Sequence, residues 1–525
     1  MNCLKITGAK ARWLSLMVLL SCCLAALFLL SSCASLPPRP DLGFEAALPP
    51  AERGALADLG GRFKDENGPE VSGFRLLINS REAFQARLAL IDLATRSIDL
   101  QYFIWKGDEA GTLLFDRLLK AADRGVRVRI IVDDFGLATS TRRLSAYNSH
   151  PNLELRIFNP NPSRDYLIAG FMHFLAGFQE LNRRMHNKLM IVDSQALVAG
   201  GRNIGNEYFG LGEKFNFIDV DVLSIGAVIK ESSNAFDHYW NDNAVYPVSG
   251  WGLKVPENRL ADLRRELQEA LDEAEAELNA TLLGNLDNRS WLEDLEQSLS
   301  KGSAHFLQDD PVQIEGRDYR LVDMISYFSA PIETEFLMSS PYLIPVGDSL
   351  QNIRQEVKKG VEVRILTNSL SSTNHTLVNS HYQKYRGPIL NTGAELHEFR
   401  NQPSAAVRNY ADTAPHAAPF ISLHAKVLVA DRRRCFIGSL NFDPRAIVIN
   451  SENGLLIESV ELATKMTEFL SEIMNPENAW RLSYGPKGTI QWMSSEKTLT
   501  SQPARGVFQS FSDFFGRFLP VESQL

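Results

Sequence analysis

At 525 residues the chain is long enough for two or more domains, and its 44% apolar and 22% charged content is that of a folded globular protein. A net charge of −9 argues against a nucleic-acid partner, because binding a phosphate backbone calls for a basic surface. Of five cysteines, only Cys435 lies beyond residue 33, so the body of the chain holds no disulfide, and no Cys/His cluster has zinc spacing.

In chain order, residues 1–33 read as an export signal. Lys5, Lys10 and Arg12 make a basic start, Trp13 to Leu30 is apolar, and Leu30-Ser31-Ser32-Cys33 resembles the lipobox of bacterial lipoproteins. That resemblance implies a lipidated Cys33 and a chain held in the bacterial cell envelope, facing the periplasm; an uncleaved membrane anchor is the other reading of the same eighteen residues. Residues 34–73, with Pro37, Pro38, Pro40, Pro49 and Pro50, read as a tether.

A first α/β unit is expected over residues 74–254. Ser97 to Trp105 is a strand, Thr112 to Asp123 a helix, and Arg124-Gly125 turns into a second strand, Val126 to Asp133. Residues 255–305 form a helical connector, rich in Leu, Glu, Ala and Arg from Glu257 to about Leu299, which reads as a solvated helix pair. A second α/β unit over 306–485 repeats the first: strand Glu335 to Tyr342, helix Ser349 to Lys359, turn Lys359-Gly360, strand Val361 to Thr367. Strand, helix, strand order implies right-handed βαβ units and a mixed or parallel sheet in each half. The tail, 486–525, contains Val507 to Leu519, whose apolar residues recur at helical spacing as expected of an interfacial helix. Tyr166 to Phe178 is a second apolar stretch, suited to walling acyl chains, and His173 within it reads as a loop or core histidine.

One pattern is written twice. His186-Asn-Lys188-Leu-Met-Ile-Val-Asp193 and His424-Ala-Lys426-Val-Leu-Val-Ala-Asp431 both fit HxKxxxxD, each followed by a small-residue turn and an asparagine, Asn203 and Asn441. His186 follows Gly125 by 61 residues and His424 follows Gly360 by 64, so the motif sits at the same place in each repeat. Period two would put each histidine and its lysine on one face of a strand.

These residues resemble the phospholipase D superfamily, whose signature is this doubled motif. The phrase Gly200-Gly-Arg-Asn-Ile-Gly-Asn-Glu-Tyr-Phe-Gly210 and the ending Leu519-Pro-Val-Glu-Ser-Gln-Leu525 resemble its bacterial cardiolipin synthase branch, the C type in particular. The resemblance implies two homologous α/β halves packed about a pseudo-two-fold axis, with one shared site and no metal or other cofactor. It also implies transfer of a phosphatidyl group onto phosphatidylglycerol, with phosphatidylethanolamine a further candidate substrate; a phospholipase D hydrolase and, less favoured, a nuclease are the alternatives. One histidine attacks phosphorus while the other donates a proton to the leaving oxygen, a division open to imidazole near neutral pH. By family analogy His186 is the nucleophile. Lys188, Lys426, Asn203 and Asn441 are expected on the non-bridging oxygens, with Asp193 and Asp431 supporting the set from behind. Each histidine needs an acceptor for its other ring nitrogen: Glu452 is assigned to His424, and Asp219, in preference to Asp221, to His186. Arg445 fits the family pattern, whereas Gly201 and Ala446 stand where the family has serine.

Overall fold

The computed structural model describes residues 35–525 apart from 138, 167–172, 175–180, 285, 312–320 and 322–330. Most of the apolar stretch 166–178 and the whole of the signal segment therefore lie outside the described residues. Among the described residues no helix is long and apolar enough to cross a membrane.

The first half runs α1 (Ala55–Asn67), β1 (Ser72–Leu77), α2 (Ser80–Leu93), β2 (Ser97–Ile104), α3 (Glu109–Asp123), β3 (Arg127–Gly136) and β4 (Leu153–Phe158). It continues through β5 (Leu189–Val192), β6 (Ala196–Gly200), β7 (Asn216–Ile218), β8 (Asp221–Gly226), α4 (Val228–Trp240) and β9 (Val245–Pro247). A helix pair, α5 (Arg259–Leu278) and α6 (Asn288–Ser298), leads on. The second half comprises β10 (Ser300–Gln308), β11 (Glu335–Ser339), α7 (Ser349–Lys359), β12 (Glu362–Asn368), α8 (Thr376–Tyr382) and β13 (Glu395–Phe399). After these come β14 (Ile421–Leu423), β15 (Val427–Ala430), β16 (Arg434–Gly438), β17 (Asn453–Glu458), α9 (Val460–Met474), β18 (Ala479–Tyr484) and, in the tail, α10 (Val507–Gly516).

Strand pairing gives the two halves one topology. The first sheet reads β9-β4-β3-β2-β5-β6-β8-β1, parallel across β4-β3-β2 and antiparallel elsewhere. The second reads β18-β13-β12-β11-β15-β16-β17-β10 with the same pattern of directions. The edge strands β1 and β10 pair antiparallel, Ser72 opposite Gly302, so the sheets join. Gly125 and Gly360, expected at the helix ends, have φ of 92° and 98°, a region that favours glycine. Side-chain caps start α2 and α3: Asn79 accepts from Glu82 N–H and Asp108 from Gly111 N–H.

Side-chain alternation divides the core. In β5, Met190 and Val192 pack with α2 and α3, while Leu189 and Ile191 enter an apolar layer shared with Val427 and Val429 of β15 and residues of α4 and α9. The motif strands are thus buried on both faces, as their unbroken apolar runs require. The stretch expected as a tether carries α1, whose Leu56, Leu59 and Phe63 are buried. Of the connector pair, Leu263, Leu267, Leu271, Leu278 and Leu295 are buried in the first half's core, so only the outer faces are solvated.

Candidate active site

Each motif strand enters from the end of the sheet where β2, β3 and β4, or β11, β12 and β13, finish. His186 N–H donates to Ser451 O at 2.8 Å, and His424 N–H to Ile218 O at 2.7 Å. Both bonds cross between halves, and each lands on the residue just before an acid. The side chains follow: His186 Nδ1 lies 2.8 Å from Glu452 Oε2, and His424 Nδ1 lies 2.5 Å from Asp219 Oδ2. The two acids named from sequence are therefore both at the site with their partners exchanged. Pairing within a half fails because the pseudo-two-fold axis brings the start of each motif strand against the other half. Asp221 reaches neither ring; it binds Arg87 at 2.8 Å and Arg202 at 3.4 Å in a buried ion cluster.

The lysines turn back over the histidines. Lys188 Nζ donates to His186 O, and Lys426 Nζ lies 2.5 Å from His424 O and 2.9 Å from His424 Nδ1. In the second copy the two side chains therefore share one face, as period two requires. All four are buried. Burial first, and then the positive charges of both lysines, hold His186 and His424 well below the usual imidazole range. Burial also lowers Lys188 to about 7 and Lys426 to about 8, against the pull of Glu452 and Asp219. Glu452 is pushed up to about 8 and Asp219 is raised, again chiefly by burial.

Asp193 and Asp431 stand at the far ends of the motif strands. Asp193 accepts from the N–H groups of Thr95, Arg96 and Ser97 at 2.7–2.9 Å, and Asp431 from those of Glu333, Thr334 and Glu335 at 2.7–3.2 Å. These bonds pin the strand ends through tight turns at positive φ, Asp193-Ser194 and Asp431-Arg432. Neither aspartate touches the histidines. The asparagines differ from one another: Asn203 accepts from Ile104 N–H and donates to Tyr208 Oη, whereas Asn441 Oδ1 has no hydrogen-bond partner among the described residues.

Ser439 Oγ donates to Glu452 Oε2 at 2.5 Å. A Cβ at Gly201, its counterpart, would stand 2.1 Å from Asp219 Oδ1, so the acid fills the space a serine would need. Arg445 grips the chain's end instead of the site: its N–H donates to Leu525 O and its guanidinium to Asn182. Sequence reading missed the aromatic walls. Phe103 meets His186 edge-on with centroids 5.0 Å apart, and Phe217 and Tyr208 flank His424 at 4.6 and 5.4 Å. Tyr208 lies within the family-like run 200–210, but Phe103 carries no signal, since it reads as one more apolar residue of a strand.

Two repeated α/β sheets sharing a crossed pair of histidine–carboxylate contacts define an enzyme of the phospholipase D superfamily. The sequence profile described as cardiolipin synthase, PLD-like domain, matches residues 88–240 and 329–474, and the chain belongs to that family. It is 34% identical over 479 residues to cardiolipin synthase C of Escherichia coli, covering 86% of this chain and 96% of that protein. Cardiolipin synthase 1 of Bacillus anthracis is 25% identical over 406 residues, 77% of this chain and 67% of that one. Among solved structures, the phosphatidylserine synthase of Haemophilus influenzae superposes with a TM-score of 0.53 at 16% identity, over 80% of this chain and 91% of that one, a likeness of fold.

One consequence of the buried lysines is measurable. Deprotonation through about 7 and about 8 removes positive charge from the site, and ionisation of Glu452 at about 8 adds negative charge, so an anionic substrate is expected to bind less tightly as pH rises. Both changes act in the same direction as pH rises. The kcat/KM profile, which reports the free enzyme, should fall between about pH 7 and about pH 9, while kcat falls less because bound phosphate restores the lysine charges. A kcat/KM flat across that range would mean that the lysines stay charged.

Proposed function

We propose that the protein is a phosphatidyltransferase of the cardiolipin synthase type, moving a phosphatidyl group onto phosphatidylglycerol. The crossed pairing of two histidines with two carboxylates, beside two lysines, carries this reading; the relatives' names supply the substrate class. His186 is the nucleophile. Its partner Glu452, pushed up to about 8 by burial and already accepting from Ser439, exerts little pull on a ring proton and favours a neutral imidazole; Asp219 has no such serine and favours a protonated His424. In the free enzyme both rings are held neutral by burial and by the lysines, and a bound phosphodiester anion offsets the lysines so that His424 can take a proton.

His186 Nε2 attacks phosphorus, and the N–P bond forms as the bond to the leaving alkoxide breaks. His424 gives that oxygen its proton, then takes one from the primary hydroxyl of phosphatidylglycerol. The new oxygen attacks phosphorus, the N–P bond breaks, and cardiolipin leaves. Lys188 and Lys426 neutralise the non-bridging oxygens, with Asn441 beside them; Asn203 fixes Tyr208 against His424. Asp193 and Asp431 hold the strands. Phosphatidylglycerol or phosphatidylethanolamine serves as donor. Lipidation at Cys33, outside the described residues, would hold the enzyme on the periplasmic side of the bacterial envelope.

The test is mass spectrometry of products from vesicles of phosphatidylglycerol and phosphatidylethanolamine. Cardiolipin formed by the intact protein and not by His424→Ala is the expected result, and isotope in either lipid identifies the donor. Phosphatidic acid without cardiolipin would make the protein a hydrolase.

A further inference from the structure

Helix α10 is docked the wrong way round for a helix facing water. Its apolar side chains point outward: Val507 is 85% exposed, Phe508 92%, Phe511 62% and Phe518 70%, with Phe514, Phe515 and Leu519 about half exposed. Its polar side faces the protein. Asp513 is fully buried and accepts from Gln383 Nε2 at 3.1 Å and Gln502 Nε2 at 2.8 Å; Gln509 Nε2 donates to Leu370 O at 2.5 Å. Just ahead of the helix, Arg505 donates to Ser371 O and Thr373 O and lies 3.9 Å over the ring of Phe420. At the other end, a Cβ on Gly516 would stand 2.6 Å from Ser380 Oγ, so a glycine is what lets the helix sit close on α8. With its polar side so held, the helix cannot roll its phenylalanines inward.

The seat belongs to the site. The loop after β12, Ser369 to His375, holds α10 through Leu370, Ser371 and Thr373 and lies beside the active centre through His375, whose charge acts on His424. Phe420, under Arg505, is four residues before His424. On the first half an apolar side chain is also exposed beside the site: Phe135 is 72% exposed and stacks on Phe103, which touches His186. The root of the N-terminal segment leaves at the same end of the first sheet: Tyr246 donates to Pro37 O and Arg39 to Val245 O, and Val245 pairs with Phe158, the last residue of β4. Cys33, the lipidation site proposed above, precedes Pro37 of that root by four residues.

We propose that α10 is a docking surface for a phospholipid bilayer, its apolar face lying in the acyl–headgroup boundary and presenting the mouth of the site to the membrane plane. The occupant is a bilayer, since the face is a single exposed apolar helix, seated on the loop beside the site and at the end of the sheets where Pro37 and Arg39, just after the proposed lipidation site, are held. Arg517, stacked 5.2 Å over Phe514 and 40% exposed, stands where phosphate groups would lie. The substrate arm of the test below rests on the phospholipid reading above; the contact arm does not.

For contact, the full-length His424→Ala protein is placed in phosphatidylethanolamine and phosphatidylglycerol vesicles doped with a phosphatidylcholine bearing a photoactivatable acyl chain. Cross-linked lipid on peptides covering 507–519 is the expected outcome. Lipid adducts elsewhere but not there, no adducts at all, or peptide-to-peptide links between copies through this segment would each overturn the proposal, the last in favour of self-association. For function, Phe508→Ser/Phe511→Ser/Phe515→Ser should lose on the order of ten-fold or more in turnover of vesicle lipid, yet stay within about two-fold of wild type on short-chain phosphatidylglycerol dissolved as monomers. Equal loss on both substrates would assign the face a structural role, and no loss on vesicles would remove it from docking. If the wild-type protein turns over neither lipid, the enzymatic reading fails while the cross-links still decide the contact.

Discussion

Replacing His186 by alanine is expected to lower lipid turnover on the order of 10⁴-fold or more, and His424→Ala to do so comparably, because each ring supplies a step the other cannot. Their equal defects on lipid conceal different failures. A phosphodiester with a nitrophenol leaving group separates them, since its phenolate departs without a proton. On that substrate His424→Ala should release one burst of phenolate and stall as a phosphorylated protein, for no ring remains to deprotonate the acceptor. The His186→Ala protein should show no burst, having no nucleophile. Mass spectrometry of peptides from the stalled protein should find the adduct on His186; an adduct on His424 in the His186→Ala protein would exchange the roles. Each deletion should leave the other ring's acceptor in place, because His186 and His424 draw theirs, Glu452 and Asp219, from opposite halves.

Much of this arrangement is legible in the residues alone. The doubled motif marks two buried strands, and Gly125 and Gly360 mark the helix ends where positive φ is required. Both acids can be named, Glu452 because Asn450-Ser451-Glu452 resembles the family's downstream acid and Asp219 because Asp219-Val220-Asp221 offers carboxylates downstream of the first motif. Their partners cannot, since the crossing is set by His186 N–H on Ser451 O and His424 N–H on Ile218 O, contacts between halves that no spacing within one half reports. Helix α1 reads as tether for a different reason. Gly60 and Gly61 sit in its middle and lower its intrinsic propensity, and the helix is recovered by burying Leu56, Leu59 and Phe63, with a Cβ at Gly60 standing only 2.5 Å from Gln195. In the tail, periodicity reveals the apolar stripe of α10, while its polar seat depends on Leu370 and Gln383, far away in sequence.

Asparagine in place of Asp219 should reproduce the His424→Ala phenotype, and glutamine in place of Glu452 that of His186→Ala. Each change keeps the shape of the side chain and replaces the carboxyl group that fixes a ring's tautomer, so each should cost on the order of 10² to 10⁴-fold on lipid. The nitrophenyl phosphodiester again divides them. Asp219→Asn weakens the proton donor alone, so the burst should persist at close to the wild-type rate and the second step should slow. Glu452→Gln weakens the nucleophile, so the burst itself should slow. Contacts within each half would give the opposite pattern, Asp219 acting on His186 and Glu452 on His424, which makes the comparison a direct test of the crossing. Glu452→Gln also replaces the carboxylate that receives Ser439 Oγ–H and Nδ1 of His186 on the same oxygen. An amide oxygen in that place can still accept from both, whereas in Asp219→Asn an oxygen kept on Val220 N–H turns the NH2 group toward His424 Nδ1, so the acceptor is lost with the charge. The first-step defect should still follow Glu452, which serves the nucleophile, and it should exceed the defect of Ser439→Ala, which removes one donor but leaves the carboxyl group that orients His186.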